Sequence, residues 1–161
     1  MTERKNCFKK RAMLRPIFLV IAILIMTHKT EAQQSKLKKH RWQNRILVLK
    51  TDSKQNDNFV NQLQELKQHK VGLIERKLVL YTVIEDMVYF DNFKSKDPAS
   101  YKLNDLDELS DIFGSEDYEI ILIGLDGGIK VRDIQKTSIK QLFEIIDVMP
   151  MRRRELKNKG K

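Results

Sequence analysis

Cysteine is almost missing from this 161-residue chain: the single one is Cys7. Past it no disulfide can staple a fold, and no pair of thiols can exchange electrons. Histidine is scarce, and His40 and His69 are far apart without ligand spacing, so no zinc site is implied. The G-x-S-x-G, Walker and dinucleotide fingerprints are lacking, and no cofactor is called for. Asp105, Asp107, Glu108 and Asp111 read as a solvated helix face, since paired carboxylates need a cleft to become an acid and a base. Long apolar runs are missing too. The longest, Pro16 to Met26, has 11 residues against the roughly 20 of a spanning helix.

That short run sits inside a recognisable leader. Lys5, Lys9, Lys10, Arg11 and Arg15 precede it, and the small residues Thr30 and Ala32 follow it. A charged segment, a short apolar segment and a small-residue exit are the three parts of a secretory signal, which predicts cleavage after Ala32. Met13 is an alternative start that keeps all three parts, and an uncleaved anchor is the alternative fate, for which the run is short. Cys7 lies ahead of the run rather than at the cleavage site, which argues against a lipid anchor on it. The expected location is exported, periplasmic or secreted, with no stable membrane anchor after cleavage.

Cleavage also changes the charge. The chain carries 31 Lys+Arg and 22 Asp+Glu, and residues 1–32 hold 7 and 2 of these, leaving 24 − 20 = +4. Much of that remainder sits in the last eleven residues. A high pI prompts a search for nucleic acid, but discarding a basic leader and leaving the cytoplasm remove nucleic acid as the expected partner. The remaining 129 residues suffice for a core without covalent staples.

Residues 33–40 are polar and basic and read as a disordered lead-in, and 157–161 as a basic tail. Between them, 41–156 reads as one domain. Ile46-Leu47-Val48-Leu49 and Leu78 to Val83 are unbroken apolar runs, expected as strands buried on both faces. Between them Phe59, Leu63 and Leu66 recur at helical spacing over 57–69, with Asn56 or Asp57 as cap and Gly72 marking the end. Met87 to Phe90 reads as a short edge strand and Lys94 to Ser100 as a loop. Asn104 caps a short helix with Leu106, Leu109, Ile112 and Phe113 on one face. Ile120 to Ile123 and Ile129 to Arg132 flank an Asp126-Gly127 turn, a strong hairpin signal. Ser138 and Gln141 form a capping box ahead of Ile139, Leu142, Phe143 and Ile146, and Pro150 ends that helix. A parallel βαβ followed by a short helix and an antiparallel ββα predicts an α/β fold of thioredoxin-like plan. About four strands would form a mixed sheet with helices on both faces.

Four stretches carry a family resemblance: Gly124-Leu125-Asp126-Gly127-Gly128-Ile129-Lys130, Ile146 to Glu155, Trp42-Gln43-Asn44-Arg45 and Glu75-Arg76. They resemble domain-of-unknown-function family 4174, with its G-x-D-G-G-x-K turn and closing I-D-x-M-P-M-R-x-x-E, over about residues 40–156. That family is similar to the thioredoxin-like C-terminal domains of sushi-repeat extracellular proteins. The resemblance implies a thioredoxin-like fold outside the cytoplasm and supplies no reaction.

A thioredoxin-like redox site needs a thiolate at the start of the first helix. Ser53-Lys54-Gln55-Asn56-Asp57 stands there without one, and Asp117-Tyr118-Glu119 replaces the usual proline before the third strand. Ser53 is a weak nucleophile with no evident base. The candidate partner-binding residues are Asp126 and Lys130 of the turn and Met149, Met151, Arg152, Arg153 and Glu155 of the closing motif. Arginine forks suit carboxylate or phosphate, and methionine adapts to apolar surfaces. The competing structural reading has the turn closing a hairpin, arginines facing a helix C-terminus, methionines sealing a core edge, Glu155 holding Arg152 or Arg153, and Trp42 covering the sheet end. The expected role is a non-catalytic binding or structural module for an unidentified protein or anionic ligand. Two alternatives remain: a thiol-independent enzyme of oxidant defence using Lys130, Arg132 or Arg153, and a binder of anionic envelope polymers through Arg152–Lys161.

Overall fold

The computed structural model describes residues 36–96, 98–103 and 107–160. The signal peptide expected at 1–32 lies outside the described residues, as do Asn104, Asp105 and Leu106. The helices and strands among the described residues are β1 (Arg45–Thr51), α1 (Asp57–Gln68), α2 (Lys70–Glu75), β2 (Leu78–Ile84), β3 (Met87–Asp91), β4 (Ala99–Lys102), α3 (Asp107–Ser110), β5 (Tyr118–Ile123), β6 (Ile129–Asp133), α4 (Ile139–Asp147) and α5 (Pro150–Lys159).

The strands form one six-stranded mixed sheet in the order β4-β3-β2-β1-β5-β6. β1 and β2 are parallel, and every other neighbouring pair is antiparallel. The sheet is larger than the four strands expected. Met87–Asp91 is not an edge strand, because Ala99–Lys102, expected within and just after a loop, pairs outside it.

The apolar runs become central strands because both faces of the sheet are covered. Leu47 and Leu49 join Phe59, Leu66, Leu73, Leu142 and Ile146 on the face carrying α1, α2 and α4. Ile46 and Val48 join Tyr81, Val88 and Leu109 on the other, where the single-turn α3 lies. Helix α1 starts where Asn56 accepts a hydrogen bond from the Phe59 N–H, and α4 starts at the Ser138–Gln141 capping box.

Three helix boundaries differ from expectation. The first helix ends at Gln68, and Gly72 lies inside the separate α2. Pro150 does not only stop α4: it begins α5, which takes in most of the expected basic tail. A proline's missing N–H costs nothing in the first turn of a helix. At the end of the segment expected as a lead-in, residues Lys38–His40 form a 3-10 turn, with His40 buried.

Gly72 is where α2 meets α4. A Cβ there would lie 2.7 Å from Phe143 Cζ and 2.8 Å from Cε2. Gly72→Ala is therefore expected to destabilise by about 1–3 kcal/mol, despite the roughly 1 kcal/mol that alanine gains in a helix. Combined with Phe143→Leu, which makes room, the loss should fall short of the sum of the two single losses. Urea unfolding of the three variants checks this, and a stabilised Gly72→Ala would contradict it.

Candidate functional site

The N-terminal ends of β1 and β2 and the C-terminal end of β5 lie together, because Arg45 pairs with Leu78 and Ile46 with Ile123. Both distinctive sequence stretches are brought to this end of the sheet.

The closing motif arrives there as an ion-pair cluster. Arg45 is fully buried. Its Nη1 donates to the Arg76 carbonyl at 2.8 Å and pairs with Glu155 at 3.3 Å. Arg152, 1% exposed, donates from Nε to Asp147 at 3.1 Å, and from Nη1 and Nη2 to the carbonyl and carboxylate of Glu75 at 3.1 and 3.0 Å. Arg76 reaches the other oxygen of Asp147 at 2.5 Å and stacks over Phe143 at 3.8 Å. Glu155 also lies 3.6 Å from Arg152 and 3.4 Å from Lys77. Arginines 45, 76 and 152 and the carboxylates of Glu75, Asp147 and Glu155 thus neutralise one another.

Arg152 is in this way withdrawn from the candidate partner residues: a buried guanidinium with three hydrogen bonds has nothing to present. Glu155 holds Arg152, one of the two alternatives for it, and also Arg45. Met149 packs against the core and Met151 is half-buried, while Arg153 is exposed on α5.

Two carboxylates of the cluster, Asp147 and Glu75, are poor proton donors. Burial alone would raise Asp147, but hydrogen bonds from Arg76 and Arg152 outweigh it and hold the group below its ordinary value. Glu75 is lowered chiefly by the Arg152 hydrogen bond. A general acid needs the opposite tuning.

The hairpin turn is self-explanatory in the same way. Gly127 adopts φ +83°, and the Gly124 N–H donates to the Gly128 carbonyl at 2.9 Å. Asp126 accepts from the Gly128 N–H at 3.1 Å and from Lys130 Nζ at 2.6 Å. Lys130 lies across Gly124, where a Cβ would meet its Cε at 2.5 Å. The spacing G-x-D-G-G-x-K is thus what one lysine folding back over a glycine requires. Arg132 is likewise engaged. It pairs with the buried Glu119 at 2.9 Å and donates to the Ile112 carbonyl.

A groove of about 590 Å³ runs beside this turn. Its floor includes Ile46, Ile112 and Ile123, and Asp126, Gly128 and Ile129 form part of its wall. His40 and Asn44 close one side. His40 Nδ1 lies 3.2 Å from Asn44 Oδ1, which can only accept, so Nδ1 carries the proton. His40 Nε2 then accepts from the Tyr81 hydroxyl at 2.9 Å. Burial lowers the His40 pKa, Lys39 adds to this, and the Asn44 hydrogen bond opposes it.

Trp42 follows Arg41 in the chain and is left exposed rather than buried over the sheet end. It is 58% exposed at φ 65°, a region bulky residues rarely enter. Its N–H donates to the Leu125 carbonyl at 2.7 Å, and Arg41, which lines the groove, sits over its ring at 5.4 Å. Sequence reading missed the exposed tryptophan because a left-handed backbone at that residue has no sequence signal.

The profile of domain of unknown function DUF4174 matches residues 36–155. The chain belongs to the DUF4174 family. No curated protein and no solved structure matches it significantly. The stretches that carried the DUF4174 resemblance are thereby given physical roles. Arg45, Glu75, Arg76, Asp147, Arg152 and Glu155 are the cluster, and Gly124 to Lys130 are the turn.

Arg152→Ala should cost about 3–5 kcal/mol, because it strands buried charge. Arg153→Ala, on the exposed side of the same helix, should stay within about 0.5 kcal/mol. Chemical denaturation of the pair measures the contrast, and equal effects would break the cluster's claimed role. A second expectation concerns pH. The unfolded chain protonates His40 near 6.5 while the folded one resists, so stability falls as pH drops below that value. His40→Gln should flatten the stability change between about pH 7.5 and pH 5.

Proposed function

We propose that this DUF4174 chain is an exported, thioredoxin-like, non-catalytic binding module that meets its partner through Trp42 and the adjoining groove. The observation that carries the reading is Trp42, 58% exposed at φ 65° and stacked by Arg41, which lines the groove. Tryptophan exposed next to a pocket is the residue type that most often dominates binding energy. A strained backbone persists only where its surroundings hold it, and here a hydrogen bond to Leu125 does so.

Support for the thioredoxin-like part comes from the central strands. β2-β1-β5-β6 has one parallel and two antiparallel pairings, the arrangement expected of a βαβ joined to a ββα. The β3–β4 hairpin adds to its β2 edge. Support for export comes from the leader of residues 1–32.

The thiol-independent enzyme has less support. Lys130 and Arg132 are each paired to a carboxylate within the fold, and Arg153 projects from α5. The second reading that an observation does favour is anion binding by α5. Residues 151–161 carry six basic side chains and one acidic, a net of +5, whereas residues 33–150 carry 18 and 19, a net of −1. Arg153, Arg154, Lys157 and Lys159 are exposed, and of these Lys159 touches Glu75.

Photo-crosslinking from position 41 in the source cell, with capture of the products, separates the two. Binding through the groove predicts that Trp42→Ala and Ile129→Asp abolish the captured species, and that Arg153→Ala/Arg154→Ala leaves it unchanged. Capture lost only in the arginine variant, and weakened steeply by salt, would move the site to α5.

A further inference from the structure

A second groove lies on the opposite side of the fold from the turn's groove, on the face that bears the long helices. β3 and β4 carry the sheet past β2, and this leaves a strip of that face bordered by α1 rather than packed beneath a helix. Register places Thr82 opposite Tyr89 and Leu80 opposite Asp91, so these side chains share the strip. Together with Phe59 and Leu63 of α1 they line a groove of about 340 Å³, closed at its far side by Pro98. Phe59 and Leu63 also border a neighbouring depression of about 480 Å³ beside the exposed Val60, so the apolar surface continues across α1.

Two ammonium groups mark its mouth. Lys54 and Lys67 line both depressions. Among the described residues neither has an ion pair or a hydrogen bond to another side chain. The third charged residue, Asp91, accepts from the Phe93 N–H at 2.6 Å through Oδ1 and keeps its charge, so the lining is net positive by one. An apolar trough with unpaired cations at its rim is complementary to a molecule with an apolar tail and an anionic head. Its volume is at the low end of the roughly 300–1,000 Å³ of small-molecule sites, which suits one chain rather than a multi-chain lipid.

We propose that this groove binds a single-chain amphipathic carboxylate, its tail along Leu63, Leu80 and Tyr89 and its head at Lys54 or Lys67. The apolar tail leaves water for a surface the fold leaves uncovered. The carboxylate gains a charge-assisted hydrogen bond from an ammonium that has no competing partner. The site uses none of the residues of the turn's groove, so it stands or falls apart from the partner surface at Trp42.

Calorimetric titration with decanoate tests it, against decyltrimethylammonium as the same chain with the opposite charge and acetate as the head alone. Decanoate is expected to bind at least about tenfold more tightly than either. Lys54→Gln/Lys67→Gln, at two exposed positions where folding is not at risk, should weaken decanoate about tenfold, or ~1.4 kcal/mol. Ile129→Asp, in the other groove, should leave it unchanged. Leu63 and Tyr89 resonances should shift on addition of decanoate. Equal binding of the cationic and anionic chains, no effect of the lysine variants, shifts confined to the Trp42 side, or no decanoate binding would each overturn the proposal.

Discussion

Arg152 is the side chain on which the assembly of this fold turns. It enters from the first turn of the last helix and makes hydrogen bonds to Glu75 at the α2–β2 junction and Asp147 at the end of α4. Through the shared Glu155 it is coupled to Arg45 at the first residue of the first strand. Segments far apart in sequence thereby close on one another. Taking such charges out of water costs several kcal/mol per ion, so the cluster is poorly understood as a source of raw stability. What it supplies is alignment. Guanidinium forks accept few geometries, and α5 has little apolar surface of its own to fix where it docks. Among the described residues, Arg45 Nε and Nη2 and Arg76 Nε are buried without a hydrogen-bond partner, a cost the alignment has to offset.

The same end of the sheet shows how a family signature can be mostly structural. The long closing motif and the glycine-rich turn are the most distinctive stretches of the sequence, and both invite a functional reading. Most residues that make them distinctive are engaged within the fold: Arg152 and Glu155 in the cluster, Gly124, Asp126 and Lys130 in the turn, while Arg153 and Arg154 stay exposed on α5. Trp42 is tied by its backbone to Leu125 of the turn. A backbone fixed in this way lowers the entropic cost of any binding through that residue.

Legibility in the sequence followed burial. β1, β2 and β5 could be read because both faces of the sheet are covered, which leaves unbroken apolar runs. The hairpin and the capping box could be read because their chemistry is local. β4 could not, since Ala99, Ser100 and Lys102 are exposed at the sheet's edge and carry no apolar pattern. α5 was hidden because Pro150 both ends one helix and opens the next, with Val148 and Met149 between them. Of the cluster, each motif residue was visible singly, but the contact between Arg45 and Glu155 spans 110 positions and has no local signature.

Extending the sheet with β3 and β4 has a further consequence for how function can be distributed. Helices α1, α2 and α4 suffice to cover β2, β1 and β5, as the shared core of Leu47, Leu80, Ile120 and Leu142 shows. Two more strands widen the sheet without adding a helix to that face, so apolar positions such as Leu63 and Ile84 stay only partly buried. A chain that needed only stability would shed such a margin or charge it. Here the margin is bordered by Lys54 and Lys67 at its rim while its floor stays apolar. The thiol chemistry expected of a thioredoxin-like plan has no residue to run on at Ser53 to Asp57. The proposed ligand groove begins beside that same segment, at Lys54.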